Sequence, residues 1–269
     1  MNRILQKYID KFVIVYLDDI IIFSKTAEEH EQHVKLVLKA LNDAEMILNL
    51  DKCTFFAKET KFLGHIISHE GSKPDPKNIE KVLTWLTPRT ITEVRGFNNL
   101  AGHYRRYIDN FAELARPLTD LQKGSPPKGA AIKWTEREEN AFQELKKALT
   151  SDPILKHADM TQPFILDPDS SQYIIGAVLQ QEFMDPDGVY RLHPVAYESK
   201  KLTETEQGYS SQEREILAIK HALNHFRYFL EGAQVLVRTE TTALNYSEPK
   251  KNTLDDSYAL SRILNTTTP

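Results

Sequence analysis

The stretch Val15-Tyr16-Leu17-Asp18-Asp19-Ile20-Ile21-Ile22-Phe23-Ser24 constrains this chain more than any other. It sets two adjacent carboxylates between two apolar, β-branched runs. Such runs favour strands, and like charges held side by side in an apolar setting are costly. A hairpin satisfies both demands. Phe12–Tyr16 and Ile20–Ser24 form the strands, and the turn lifts Asp18 and Asp19 out of the apolar flanks. Adjacent carboxylates on a rigid turn suit a divalent cation, which takes hard oxygen ligands and cancels their repulsion. The plainer reading of the same residues is an ordinary Asp-containing turn.

The segments that follow alternate between helical and strand periodicity. Thr26–Leu50 reads as a helix with Thr26 as N-cap, Glu29 three residues on, and Val34, Leu38, Leu41 and Met46 on one face. Lys61–Ser68 reads as a strand, broken by Glu70–Pro76. Residues 76–86 and 90–122 read as helices, and Lys123–Ala131, rich in Gly and Pro, as a linker. A helix capped by Thr135 comes next. Residues 164–182 and 190–202 supply three strands, 204–230 a long amphipathic helix, and 233–240 a fourth strand. The last residues show no strong pattern.

Composition narrows the class. The chain of 269 residues is 41% hydrophobic and 27% charged, as in soluble globular proteins. The single cysteine, Cys53, excludes an internal disulfide and a multi-cysteine zinc site, and fits a reducing compartment. No apolar run reaches a membrane span, and the mixed-charge N-terminus is not a secretory signal. An intracellular protein of unassigned compartment is expected. A net charge of −4 argues against a wholly basic nucleic-acid surface, but leaves room for a local one. His103, Arg105 and Arg106 interleave with Tyr104 and Tyr107. Such a stretch either contacts phosphates and bases or is an amphipathic helix with buried tyrosines and solvated arginines.

Tyr16-Leu17-Asp18-Asp19 followed by IIIFS resembles the polymerase palm motif of gypsy-class LTR-retrotransposon reverse transcriptases. The resemblance continues in order through EEHEQHVKLVL, NLDKCTFF, KFLGHIIS, GHYRRYIDNFAELARPL, IKWTEREENAFQELKKALTSDPIL, FILDPDSSQYIIGAVLQQ and YSSQEREILAIKHALNHFRYFL. It covers Met1 to about Tyr246. It implies an α+β fold in pieces: residues 1–72 as a C-terminal palm remnant, 73–123 as a helical thumb, 124–160 as a connection, and 161–246 as an RNase H-like mixed sheet flanked by helices. Residues 247–269 form a truncated or divergent tail.

By resemblance, the reactions are RNA-directed DNA synthesis and cleavage of RNA in RNA–DNA hybrids. Both are two-metal phosphoryl transfers using Mg²⁺ or Mn²⁺. Asp18 and Asp19 are the implied palm ligands, and Phe62, Leu63 and Gly64 the implied primer grip. His103, Tyr104, Arg105 and Arg106 are the implied thumb contacts to a template–primer or hybrid. The family's third palm Asp and its fingers lie upstream of this motif, so processive synthesis is not expected from this chain alone. Another polypeptide supplying fingers and the remaining palm is the implied partner.

For the RNase H part, the implied catalytic metal ligands are Asp169, Glu215 and Glu240. Read from the residues alone, they fit better as two solvated strand ends and a solvated helix face. The sequence departs from the family in three places. Pro168 stands where the family has Thr. Thr239-Glu240-Thr241 stands for Thr-Asp-His, which moves the carboxylate outward by one C–C bond. Tyr258 stands where a fourth Asp belongs, with Asp255 and Asp256 the nearest carboxylates. The alternative to an enzyme is an inactive retrotransposon remnant that only binds nucleic acid.

Overall fold

A computed structural model describes residues 1–151, 154–239 and, as backbone, 262–265. The chain divides into two compact units, Met1–His69 and Glu70 onward.

In the first unit, α1 (Asn2–Leu5) precedes the hairpin of β1 (Val13–Tyr16) and β2 (Asp19–Ile22), and α2 (Ala27–Asp43) follows. The hairpin register runs from Val13↔Ile22 to Tyr16↔Asp19, so Leu17 and Asp18 make the turn. Leu5, Val13, Val37 and Leu41 form a small core. Thr26 caps α2 by accepting from Glu29 N–H, as its position predicts.

The helix ends seven residues before Leu50. Glu45 takes a left-handed φ of 56°, and Met46 N–H and Glu45 N–H bond to Leu41 and Asn42 carbonyls. This is a Schellman ending without the usual glycine, so the periodicity carries no stop signal there. Met46 is consequently exposed, and Val37 takes the buried place.

Residues 61–68 are likewise not one strand. They are the hairpin β3 (Glu59–Phe62) and β4 (His65–Ser68), paired Phe62↔His65. Leu63 and Gly64 both have positive φ, 50° and 83°. A two-residue hairpin turn of this hand needs positive φ at both places. Gly64 accepts that without strain, whereas Leu63 does so at a steric cost.

The second unit begins with β5 (Gly71–Pro74), α3 (Pro76–Leu83), α4 (Ile91–His103), a short turn at Arg105–Tyr107, α5 (Phe111–Asp120) and α6 (Glu136–Thr150). Gly71 has φ of 144°, and a Cβ there would fall 2.1 Å from the Leu155 carbonyl oxygen. Only glycine lets the Ser72–Leu155 bridge close, with N···O distances of 2.8 and 3.0 Å. Phe97, Tyr104, Leu118, Phe142, Leu145 and Leu149 fill one shared core.

The RNase H-like sheet contains β6 (Phe164–Ser170), β7 (Ile174–Met184), β8 (Tyr190–Lys201), β9 (Gln234–Val237) and β10 (Arg262–Asn265) in the order β10-β9-β6-β7-β8. β6 and β9 run parallel and the other neighbours antiparallel. β10 is an addition to what sequence periodicity shows.

The long helix expected over 204–230 is three pieces: α7 (Glu204–Gln207), α8 (Ser211–His225) and α9 (Arg227–Leu230). Thr203 with Glu206 and Ser210 with Glu213 each form a capping box. Two helix starts seven residues apart break the run. Phe164, Leu166, Ala177, Leu179, Ala222 and Phe226 form the core between the sheet and α8.

The other side of β8 meets α5. Ala112 N–H donates to Ser199 Oγ at 2.8 Å, and Lys201 donates to Asp120 at 2.6 Å. Arg116 stacks over the Tyr173 ring at 3.9 Å.

Candidate functional site

In the first unit, Asp18 occupies the second place of the β1–β2 turn and Asp19 opens β2, both exposed. Leu17 carries φ of 53° and is 77% exposed, so the turn lifts both carboxylates off the apolar strands. Phe62, Leu63 and Gly64 form the tip of the second hairpin of that unit.

In the second unit, strand alternation buries Phe164 and Leu166 and turns Asp167 and Asp169 to the other face. Asp169 is exposed near the end of β6 and pairs with Gly176. Pro168 does not interrupt pairing with β7. By alternation its missing N–H would point toward β9, where the ladder ends as Arg238 N–H bonds the Leu166 carbonyl at 2.9 Å.

Asp167 is fully engaged elsewhere. Arg238 donates two hydrogen bonds to it, one at 2.6 Å from Nε, and Gln180 donates a third at 2.6 Å. This ties the end of β9 to β6.

Thr239, the next residue, donates its hydroxyl to Glu215 on α8. Glu215 and Asp169 therefore both sit at the end of the sheet where β6 and β9 run side by side. Glu240, Asp255, Asp256 and Tyr258 lie outside the described residues.

A further carboxylate, Asp109, reaches this end from the loop before α5. The protein packed around it pushes its pKa up, and the charge of Asp169 pushes it the same way. No sequence signal singled out Asp109, because its approach depends on α5 packing against β8.

The stretch His103–Tyr107 resolves into two kinds of side chain. Tyr104 and Tyr107 are buried; Tyr104 Oη accepts from Asn78 at 2.9 Å and Tyr107 Oη donates to Ser72 at 3.2 Å. His103, Arg105 and Arg106 are exposed. Arg105 lies 3.9 Å from Glu198, and Arg106 stands 5.8 Å from the Tyr107 ring centre.

Asp169 and Glu215 offer carboxylate oxygens, and Asp109 adds another at the Asp169 side. Carboxylate oxygens of this kind suit a divalent cation such as Mg²⁺; of the three, Asp169 and Asp109 are the two that feel each other's charge. Among the described residues, the group of three whose ligand atoms lie within 4.8 Å of one another is a different one, Glu198, His221 and His225. No helix among the described residues is long and apolar enough to cross a membrane.

Comparison with known proteins places the two units. The family of reverse transcriptases (RNA-dependent DNA polymerases) matches residues 1–67, and the RNase H-like domain found in reverse transcriptase matches residues 134–237. Both families generally use divalent metals.

The chain is 38% identical over 91% of its length to the retrovirus-related Pol polyprotein from transposon 297 of Drosophila melanogaster, spanning 22% of that protein. It is 37% identical over 94% of its length to the Pol polyprotein from transposon gypsy of the same organism, spanning 24% of it. Against the transposon Tf2-3 polyprotein of Schizosaccharomyces pombe the figures are 37%, 86% and 17%. The chain thus spans about a fifth of the curated relatives it matches.

The fold is similar to foamy viral protease-reverse transcriptase. The form solved with double-stranded DNA and named dRH has a TM-score of 0.75 and 24% identity over 92% of this chain and 42% of that one. The form solved with an RNA/DNA hybrid has 0.74 and 21% over 100% and 39%. The paired aspartates of the first unit and the RNase H-like sheet of the second therefore have one common source: this chain belongs to the reverse transcriptase and RNase H region of gypsy-type retrotransposon Pol polyproteins.

Proposed function

We propose that the second unit cleaves the RNA strand of RNA–DNA hybrids in the presence of Mg²⁺ or Mn²⁺, using Asp169, Glu215 and Glu240. The observation that carries this reading is the Thr239–Glu215 hydrogen bond. It fixes a helix carboxylate at the same end of the sheet as Asp169, which β6 turns to the face away from α8. Asp169 and Glu215 would hold the ion, which when bound supplies Lewis-acid chemistry for phosphodiester hydrolysis.

The chain's own residues do the positioning. The Arg238–Asp167 pair holds the β9 end against β6, so Arg238 and Thr239 arrive at the end of β6 that carries Asp169. The Thr239 hydroxyl orients the Glu215 carboxylate. His103 and Arg106, exposed beside buried Tyr104 and Tyr107, would meet phosphates of the hybrid. Buried Tyr104 acts by seating this segment rather than by touching bases.

Asp18 and Asp19 supply two of the palm carboxylates that polymerase chemistry uses. The third, with the fingers, would come from a neighbouring stretch of polypeptide or from a second chain.

The test is cleavage of a labelled RNA–DNA hybrid by the purified chain with Mg²⁺ or Mn²⁺, with Asp169→Asn as control. Cleavage that disappears in the variant supports the proposal. Cleavage unchanged in the variant, or none from a chain folded by circular dichroism, overturns it. A second reading, hybrid binding without cleavage, is favoured by Glu240 in place of the family's Asp, since a metal cage tolerates only about 0.5 Å of misplacement. Gel-shift binding without hydrolysis would establish it.

A further inference from the structure

Glu198 is 7% exposed, on β8. Two histidines of α8 converge on it: His221 Nε2 lies 3.1 Å from Oε1, and His225 Nε2 lies 3.4 Å from Oε2. Their spacing, four residues apart, puts both rings on one face of the helix. All three ligand atoms lie within 4.8 Å of one another. In a tetrahedral zinc site with bonds near 2.0–2.1 Å, ligand atoms stand about 3.3 Å apart; each histidine already lies at about that separation from one oxygen of Glu198.

The cluster is distinct from the Asp169 end. Glu198 opposes Ala177, which opposes Pro168, so its side chain shares the face covered by α8, whereas Asp169 turns to the other face. With β7 between them, β8 and β6 stand roughly 10 Å apart at ordinary strand spacing.

We propose that Glu198, His221 and His225 form a transition-metal site that takes Zn²⁺ through two imidazoles and a carboxylate, with a fourth position open. Imidazole nitrogens select zinc over the oxygen-preferring Mg²⁺. The site joins α8 to the edge strand β8, so an occupied site staples the two elements. Burial pushes the His225 pKa down, aided by Arg105 and His221 and opposed by Glu198. Arg105 is a competitor: its guanidinium lies 3.9 Å from Glu198 Oε2, but its side chain is 54% exposed and has room to withdraw.

The test is titration of the full chain with Zn²⁺ by calorimetry, and with Co²⁺ by its visible absorption, in wild type and in His221→Gln, His225→Gln, Arg105→Gln and Asp169→Asn. A His30→Gln/His33→Gln variant controls for the second histidine pair, which meets at Ser24. One metal per chain is expected, with affinity falling about a hundredfold in either α8 histidine variant. It is expected to rise in Arg105→Gln and to stay unchanged in Asp169→Asn and His30→Gln/His33→Gln. Zn²⁺ raises the melting temperature only where it binds. Because the His225 side chain is only partly buried, its Gln variant is expected to fold, which circular dichroism checks. Affinity unchanged in folded His225→Gln, binding that follows His30 and His33 instead, or no binding by wild type would overturn the site.

Discussion

The two units match different families and are self-sufficient to different degrees. The first has a core of four buried residues and leaves Leu17, Ile47, Leu50 and Phe56 at 77, 97, 66 and 58% exposure. Its two-stranded sheet β1–β2 has no third strand among the described residues. A two-stranded hairpin is marginal in water. The second unit buries aromatic and aliphatic side chains on both sides of a five-stranded sheet. The difference teaches that a motif and its support need not be encoded together. The Asp18–Asp19 turn is complete in ten residues, whereas the site around Asp169 draws on β6, α8, the end of β9 and the loop before α5.

The sharpest break between the units is chemical. Asp169→Asn is expected to lower hybrid cleavage by at least about a hundredfold, more than a change to a residue that merely orients a ligand. Asp18→Asn is expected to leave cleavage unchanged. Equal losses in a hydrolysis assay would mean that the two sites are not separate.

Packing comes second. Phe142→Ala, at 1% exposure among Phe97 and Trp134, is expected to cost about 3–5 kcal/mol in a denaturant titration. Hydrogen exchange is expected to show higher protection in β6–β8 than in β1–β2. Similar protection in both would remove the contrast in core size.

A smaller effect tests how the helical part is tied to the sheet. Burial alone would raise the Asp120 pKa, but hydrogen bonds from Lys201, Lys123 and Arg137 outweigh it and hold the carboxyl at about 2. A depressed carboxylate contributes stability above its unfolded pKa and loses it as pH falls through the folded one. Wild type is therefore expected to lose about 1–2 kcal/mol between roughly pH 4 and pH 2 that Asp120→Asn never has. Parallel pH curves for the two proteins would refute the tie.

The smallest effect is expected at helix starts. Ser210→Ala, which removes the cap of the helix carrying Glu215, is expected to cost about 1 kcal/mol, as is Thr26→Ala in the first unit. Melting temperatures of the two variants compare the units directly.

Much of this is legible in the sequence. The β1–β2 hairpin, the Thr26 and Thr135 helix starts, the three strands of 164–202 and the positions of Asp18, Asp19, Asp169 and Glu215 follow from alternation, caps and ordered motifs. Other features leave no such mark. The end of α2 uses a left-handed Glu45, and the turn at Leu63-Gly64 uses a left-handed leucine, so neither shows a full breaker signal. The split of 204–230 rests on two capping boxes that continuous amphipathicity hides in the sequence.

By itself the sequence determined the family, the broad run of strands and helices, and Asp18, Asp19, Asp169 and Glu215 as the candidate acidic groups, because those depend on short-range spacing along the chain. Tertiary structure alone decided which of these groups meet. Asp109 approaches Asp169, Thr239 bonds Glu215, Asp167 is taken up by Arg238, and two histidines close on Glu198. Each of these contacts joins residues from separate elements, and sheet register and helix packing set them rather than local preference.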